Sequence, residues 1–120
     1  MKLARALIAV CAAALSIAAH AHAFFDHAEP RVGSVVPSAP GQVRIWFTQE
    51  LEPAFSTAQV TDASGNGADA GPAHVDAHDP MVIDVPLSKL GPGEYTVTWR
   101  AVSVDTHVTQ GHFSFRVGQQ

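Results

Sequence analysis

A histidine becomes a bidentate metal ligand when it is the first residue of a chain, because its α-amine and ring nitrogen close a chelate ring on one ion. His22 stands where this happens if the chain is cut after Ala21. Far downstream, Asp105-Thr106-His107 separates a carboxylate and an imidazole by one residue, a spacing that an extended segment projects to one side. Chelation lowers the entropic cost of collecting separate ligands. A terminal amine titrates near about 7.7–8.0, so a metal displaces its proton at neutral pH. The three nitrogens and one oxygen form a set of tetragonal character, which Cu(II) favours, and Cu(II) also tops the divalent affinity series. Cys11 and Met1 precede His22, and Met81 is the one sulfur after it, so the soft clusters that hold Cu(I) cannot be assembled. The pattern names His22, Asp105 and His107 as ligands of Cu(II).

Whether His22 leads the chain depends on the leader. Lys2 and Arg5 give a basic start, Ala6 to Ala19 is an apolar run, and Ala19-His20-Ala21 supplies the small residues that a signal peptidase reads. Residues 1–21 are therefore expected to be a secretory signal peptide, and residues 22–120 the exported domain. A second register, Ala21-His22-Ala23, would permit cleavage before Phe24. The apolar run is shorter than the roughly 20 residues that span a bilayer, and no later segment reaches that length, so no membrane insertion of the mature chain is expected.

Cleavage leaves enough chain for one domain with one core. Cys11 departs with the leader, so no disulfide is available and stability must come from packing. All nine aromatic residues lie beyond the cut. The leader takes two of the seven basic residues, leaving five against eleven acidic ones, a balance of −6. That charge disfavours nucleic acid and anionic membrane surfaces as partners.

The elements that must position these ligands read as strands. Val43, Ile45 and Phe47 alternate with Arg44, Trp46 and Thr48, and Tyr95, Val97 and Trp99 with Thr96, Thr98 and Arg100. Phe113, Phe115 and Val117 alternate with Ser114 and Arg116. Further strands are expected around Val60 and over Met81 to Val85, and Gly65 to Gly71 reads as a loop. Eight prolines punctuate the chain at sandwich-like intervals. The fold expected is all-β, an immunoglobulin-like Greek-key sandwich or barrel. Leu90-Gly-Pro-Gly-Glu-Tyr95 resembles a tyrosine corner, whose hydroxyl bonds to upstream backbone.

His27, His74, His78 and His112 are expected to be solvated or locally hydrogen-bonded. Two alternatives stay open: His74 and His78 share an acidic loop with Asp76 and Asp79 that could form a low-specificity metal patch, and His112 could assist or compete at the main site.

Taken together, His22-Ala23, Glu29-Pro30, Gly33, the Val43-Arg-Ile-Trp-Phe-Thr48 strand, Leu51-Glu-Pro-Ala-Phe55, Gly93-Glu-Tyr-Thr-Val-Thr-Trp-Arg100, Ser103-Val-Asp-Thr-His107 and Gly111-His-Phe-Ser-Phe115 resemble the CopC family of periplasmic copper-resistance proteins. The resemblance spans essentially the whole mature chain. It implies a β-sandwich that binds Cu(II) through the terminal amine and imidazole of His22 with Asp105 and His107. It also implies a non-enzymatic role in buffering or delivering copper, with an inner-membrane CopD-type copper transport protein as partner. Three features depart from the pattern. Thr106 stands where the family usually has Gly, Gln49 followed by Glu50 replaces a common carboxylate, and the methionine-rich Cu(I) loop of the founding members is missing. The chain thus resembles the single-site, Cu(II)-only type. Two rival readings are a copper-dependent oxidative enzyme with a histidine-brace-like site and an immunoglobulin-like binding module with incidental histidines.

Overall fold

The computed structural model describes residues 23–119. Several of its strands follow the apolar alternation. β1 covers Phe25–Glu29, β2 Val35–Val36, β3 Gln42–Phe47, β4 Thr57–Asp62, β5 His74–Val75, β6 Val82–Pro86, β7 Gly93–Val102 and β8 Val108–Val117. Among the described residues there is no helix, and none therefore long and apolar enough to cross a membrane. One sheet has the order β1-β3-β6-β5 and the other β2-β8-β7-β4. Every pairing is antiparallel except that of β2 with β8. The all-β sandwich expected from the sequence is the fold observed.

Side chains of odd-numbered residues on β3 and β7 and on the second half of β8 turn inward. Val43, Ile45, Val97 and Phe115 meet Val60, Ile83 and Val85 in one core, each at most 1% exposed. Nearer the N-terminus of β1 the filling is aromatic. Phe25 stacks on Trp99 at a centroid distance of 6.1 Å and lies 5.6 Å from Phe113, while Phe47 meets Trp99 edge-on at 5.1 Å. Such pairs each add about 0.5–1.5 kcal/mol beyond area burial, and they secure the end of the sandwich where β1 begins.

The outer face of the first sheet carries a polar network. Asp84 is almost fully buried and accepts from Arg44 Nε at 2.8 Å, while Arg44 Nη2 donates to Asp76 Oδ2 at 3.2 Å. Burial pushes the Asp84 carboxyl up. A hydrogen bond from Asp84 holds Asp76 down at about 2. The Arg44 guanidinium also lies over the Trp46 ring, against which His27 stacks at 4.4 Å.

The tyrosine corner is present: Tyr95 donates its hydroxyl to the Gly91 carbonyl at 2.7 Å. The expected strand at Met81 begins one residue later and extends through Pro86. β1, β2 and β5 are additional strands. Residues 65–71 hold no strand, as expected, yet they are anchored. Ala68 is buried and donates its amide to the Val60 carbonyl at 2.8 Å, and Asp69 Oδ1 accepts from the Val60 amide at 2.7 Å. This segment covers the free edge of β4. The expected leader, Cys11 and His22 lie outside the described residues.

β7 and β8 pair without interruption from Gly93 opposite Val117 to Val102 opposite Val108, so residues 103–107 are the loop of one long hairpin. Trp99 lies opposite Gly111, and a Cβ at that glycine would sit 2.6 Å from Trp99 Cζ2. Gly111→Ala is expected to cost about 1–3 kcal/mol through overpacking, read as a lower midpoint of thermal unfolding. Tyr95→Phe is expected to cost about 1 kcal/mol in the same measurement.

Candidate metal centre

The hairpin loop is closed by short-range bonds before any metal is considered. Thr106 donates its amide to the Ser103 carbonyl at 2.8 Å, and Ser103 donates its own to the His107 carbonyl at 3.0 Å. Turning the chain this tightly sets Thr106 at φ +71°, a left-handed conformation that β-branched residues rarely adopt. This explains why glycine suits the position. Threonine keeps the turn and carries the strain.

Within this loop Asp105 and His107 come together. Asp105 Oδ2 lies 3.1 Å from His107 Nδ1, with both side chains about two-fifths exposed. Two donors bound at right angles to one metal, each at about 2.0–2.2 Å, stand about 3 Å apart, so this separation fits adjacent positions around one ion. The other oxygen, Asp105 Oδ1, accepts from the Ser103 hydroxyl. That bond, and then the imidazole of His107, hold the Asp105 carboxyl below its ordinary value. The carboxylate, charged at neutral pH as an aspartate ordinarily is, faces an imidazole, an oxygen and nitrogen pair suited to a divalent cation.

The third predicted ligand, His22, lies outside the described residues, but its neighbour does not. Ala23 is fully buried in the core, and its carbonyl accepts from Thr109 Oγ1 at 2.7 Å. Phe24 and Thr48 exchange bonds, with the Phe24 amide donating to Thr48 Oγ1 at 3.0 Å and the Thr48 amide to the Phe24 carbonyl at 2.9 Å. Thr109 is two residues beyond His107, so the chain leaves the core at Ala23 beside the strand that starts where the loop ends.

The remaining histidines separate from this centre. His112 is exposed on β8 opposite Thr98, on the face opposite to Thr109, and five residues of extended chain from His107 is about 16 Å. It does not join the site. Along residues 74–79, which open with β5, Asp76 Oδ1 accepts from the amides of His78 and Asp79 at 2.8 and 3.1 Å, and His74 Nδ1 lies 3.3 Å from the Pro72 carbonyl. His27 bonds Asp26 at 2.6 Å. Among the described residues no three His, Cys, Asp or Glu converge into a metal cluster, so the acidic loop forms no patch of that kind. The Gln49-Glu50 segment serves through its backbone: the Val104 amide donates to the Glu50 carbonyl at 3.1 Å, and Leu51 bridges Ser103. Sequence reading named Ser103 only as part of the Ser103–His107 motif and gave it no role, since its hydroxyl meets Asp105 only once the loop has turned.

Relief of the positive φ gives a direct check. Thr106→Gly is expected to stabilise the domain by about 0.5–1 kcal/mol, since the left-handed penalty exceeds the entropy glycine loses. Thermal unfolding measures it, and copper affinity should not fall.

Residues 25–118 match the model of the CopC domain. The chain is 38% identical over 98 residues to Protein YobA of Escherichia coli K12, covering 81% of this chain and 79% of that one. It is 31% identical over 100 residues to Copper transport protein CutJ of Bacillus subtilis, covering 82% of this chain but 18% of that larger protein. Its fold superposes on the crystal structure of PcoC, a methionine-rich copper resistance protein from Escherichia coli, with a TM-score of 0.72 at 32% identity, covering 81% of this chain and 99% of that one. The sandwich, the loop that pairs a carboxylate with an imidazole, and a domain match across most of its length make this chain a member of the CopC family of copper-binding, copper-resistance proteins.

Proposed function

We propose that the exported protein begins at His22 and binds one Cu(II) ion in the periplasm. The terminal amine and imidazole of His22 supply two donors, His107 a ring nitrogen and Asp105 one oxygen. The observation that carries this reading is the bond from Thr109 Oγ1 to the Ala23 carbonyl. Residue 22 is joined to Ala23 by a single step of about 3.8 Å between Cα atoms, and Ala23 is tied to the strand that follows His107. The burial of Ala23 also supports the processing site. Cleavage before Phe24 would remove a residue that the core encloses, whereas cleavage before His22 leaves it in place.

A carboxylate among the ligands neutralises one charge of the cation and favours Cu(II) over Cu(I). It also fills a coordination position and opposes redox cycling, which supports binding rather than oxidative catalysis. Met81 is the one methionine among the described residues, consistent with a single Cu(II) site and no thioether site. The role is to buffer copper or hand it on. A copper-transport membrane protein of the CopD type is the proposed recipient, a reading supported by the presence of a similar domain within the larger Copper transport protein CutJ.

Mass spectrometry of the secreted protein should give the mass of residues 22–120. One extra residue ahead of His22 is expected to lower Cu(II) affinity more than about a hundredfold, which is about 2.7 kcal/mol, in titrations against a competing chelator. His107→Ala should do the same, while His27→Ala and His78→Ala should leave affinity unchanged. Unchanged affinity in the extended protein would overturn the chelate.

A further inference from the structure

Two serines are buried at the end of the sandwich that carries the hairpin loop, and they face different things. Ser56, 4% exposed, contacts backbone alone: its hydroxyl donates to the Val102 carbonyl at 3.2 Å and accepts from the Val102 amide at 3.0 Å. Ser103, 1% exposed, is buried beneath the loop. Its hydroxyl donates to Asp105 Oδ1 and accepts from the His107 amide at 3.2 Å, with the His107 carbonyl 3.3 Å away. A single hydroxyl thus touches the carboxylate of one proposed ligand and the backbone of the other.

We propose that Ser103 is a positioning residue of the copper site, its buried hydroxyl holding Oδ1 of Asp105 so that Oδ2 alone is turned towards His107 and the metal. This rests on the assignment of Asp105 and His107 as ligands. An aspartate side chain rotates freely unless something fixes it, and an unrestrained carboxylate can bind a cation through either oxygen or both. With Oδ1 engaged, Asp105 is a one-oxygen ligand whose remaining oxygen already stands 3.1 Å from the His107 nitrogen. The same hydroxyl holds the backbone of His107, so the two donors are set relative to each other before copper arrives. Hydrogen bonds to ligating groups from outside the coordination sphere typically account for 10–100-fold in metal affinity.

The test compares Ser103→Ala with Ser56→Ala in the processed protein. Both lose a buried hydroxyl and both should unfold at lower temperature. Ser103→Ala alone should lose about 10–100-fold in Cu(II) affinity and change the EPR g and hyperfine values, because Asp105 is released. Ser56→Ala should keep the wild-type spectrum and affinity. In an Asp105→Ala background, Ser103→Ala should cause little further loss, since it acts through the carboxylate. Ser103→Thr keeps the hydroxyl and should retain the wild-type EPR signature even if its stability changes. It carries the test alone if the alanine variant does not fold, and a tenfold or greater loss of affinity in it would count against the proposal. Wild-type spectrum and affinity in Ser103→Ala, or losses that add fully to those of Asp105→Ala, would overturn it. If Asp105→Ala and His107→Ala themselves bind copper normally, the site assignment has failed. If they lose copper while Ser103→Ala does not, only the role of Ser103 has failed.

Discussion

The bond between Thr109 Oγ1 and the Ala23 carbonyl joins the two ends of the fold that matter most. Thr109 stands near the start of β8, immediately after the loop that carries Asp105 and His107. Ala23 is the first described residue and lies fully buried. An N-terminal segment is ordinarily loose unless something ties it down. Here burial, the Thr109 bond and the exchange of bonds between Phe24 and Thr48 hold it against the sandwich. The proposed use of a terminal amine as ligand depends on this restraint, since a free chain end would give up its chelating geometry to conformational entropy.

The rest of the sandwich supports that junction with packing alone. Phe25 begins β1 two residues beyond Ala23 and inserts between Phe47, Trp99 and Phe113. Trp99 closes over Gly111, where only a hydrogen atom fits beneath the indole. The same hairpin that carries the candidate ligands at its loop therefore carries the aromatic anchor of β1 on its inner face. Strain is concentrated in the loop, at Thr106, while the ten-residue strands on either side keep regular pairing. That division suits a site whose donors must be held but whose metal must still arrive and leave from solvent.

The parts of this arrangement that sequence made legible are those written in side-chain period. β3, β7 as far as Ala101 and the inward-facing half of β8 follow strict alternation, and the tyrosine corner carries its own turn chemistry. β1 does not alternate cleanly because its register shifts between Phe25 and His27. β2 and β5 are two residues each, too short for any period to register. The pairing of Asp105 with His107 was readable because the two lie in one short loop. The role of Ser103 was not, because its hydroxyl matters through a contact that exists only once the loop has turned back on itself. The anchoring of Ala23 was equally hidden, since an alanine near the end of an apolar leader carries no local signal of burial.

Charge alone does not distinguish the candidate site, because this is an acidic chain with many carboxylates. Asp84 and Asp76 are committed to Arg44, and burial of Asp84 favours its neutral form. Asp69 and Asp62 accept from backbone amides. Asp26 and His27 repeat the chemical pairing of Asp105 and His107, but the His27 ring is stacked flat against Trp46 on an open sheet face. At residues 103–107 three conditions coincide: a carboxylate held by a buried hydroxyl, an imidazole held next to it, and a nearby strand residue that secures the chain one residue after His22. Donor type is common in this sequence, so selection of one locus for a cation falls to the restraint placed on the donors. That restraint comes from the β7–β8 hairpin and from the buried start of the domain.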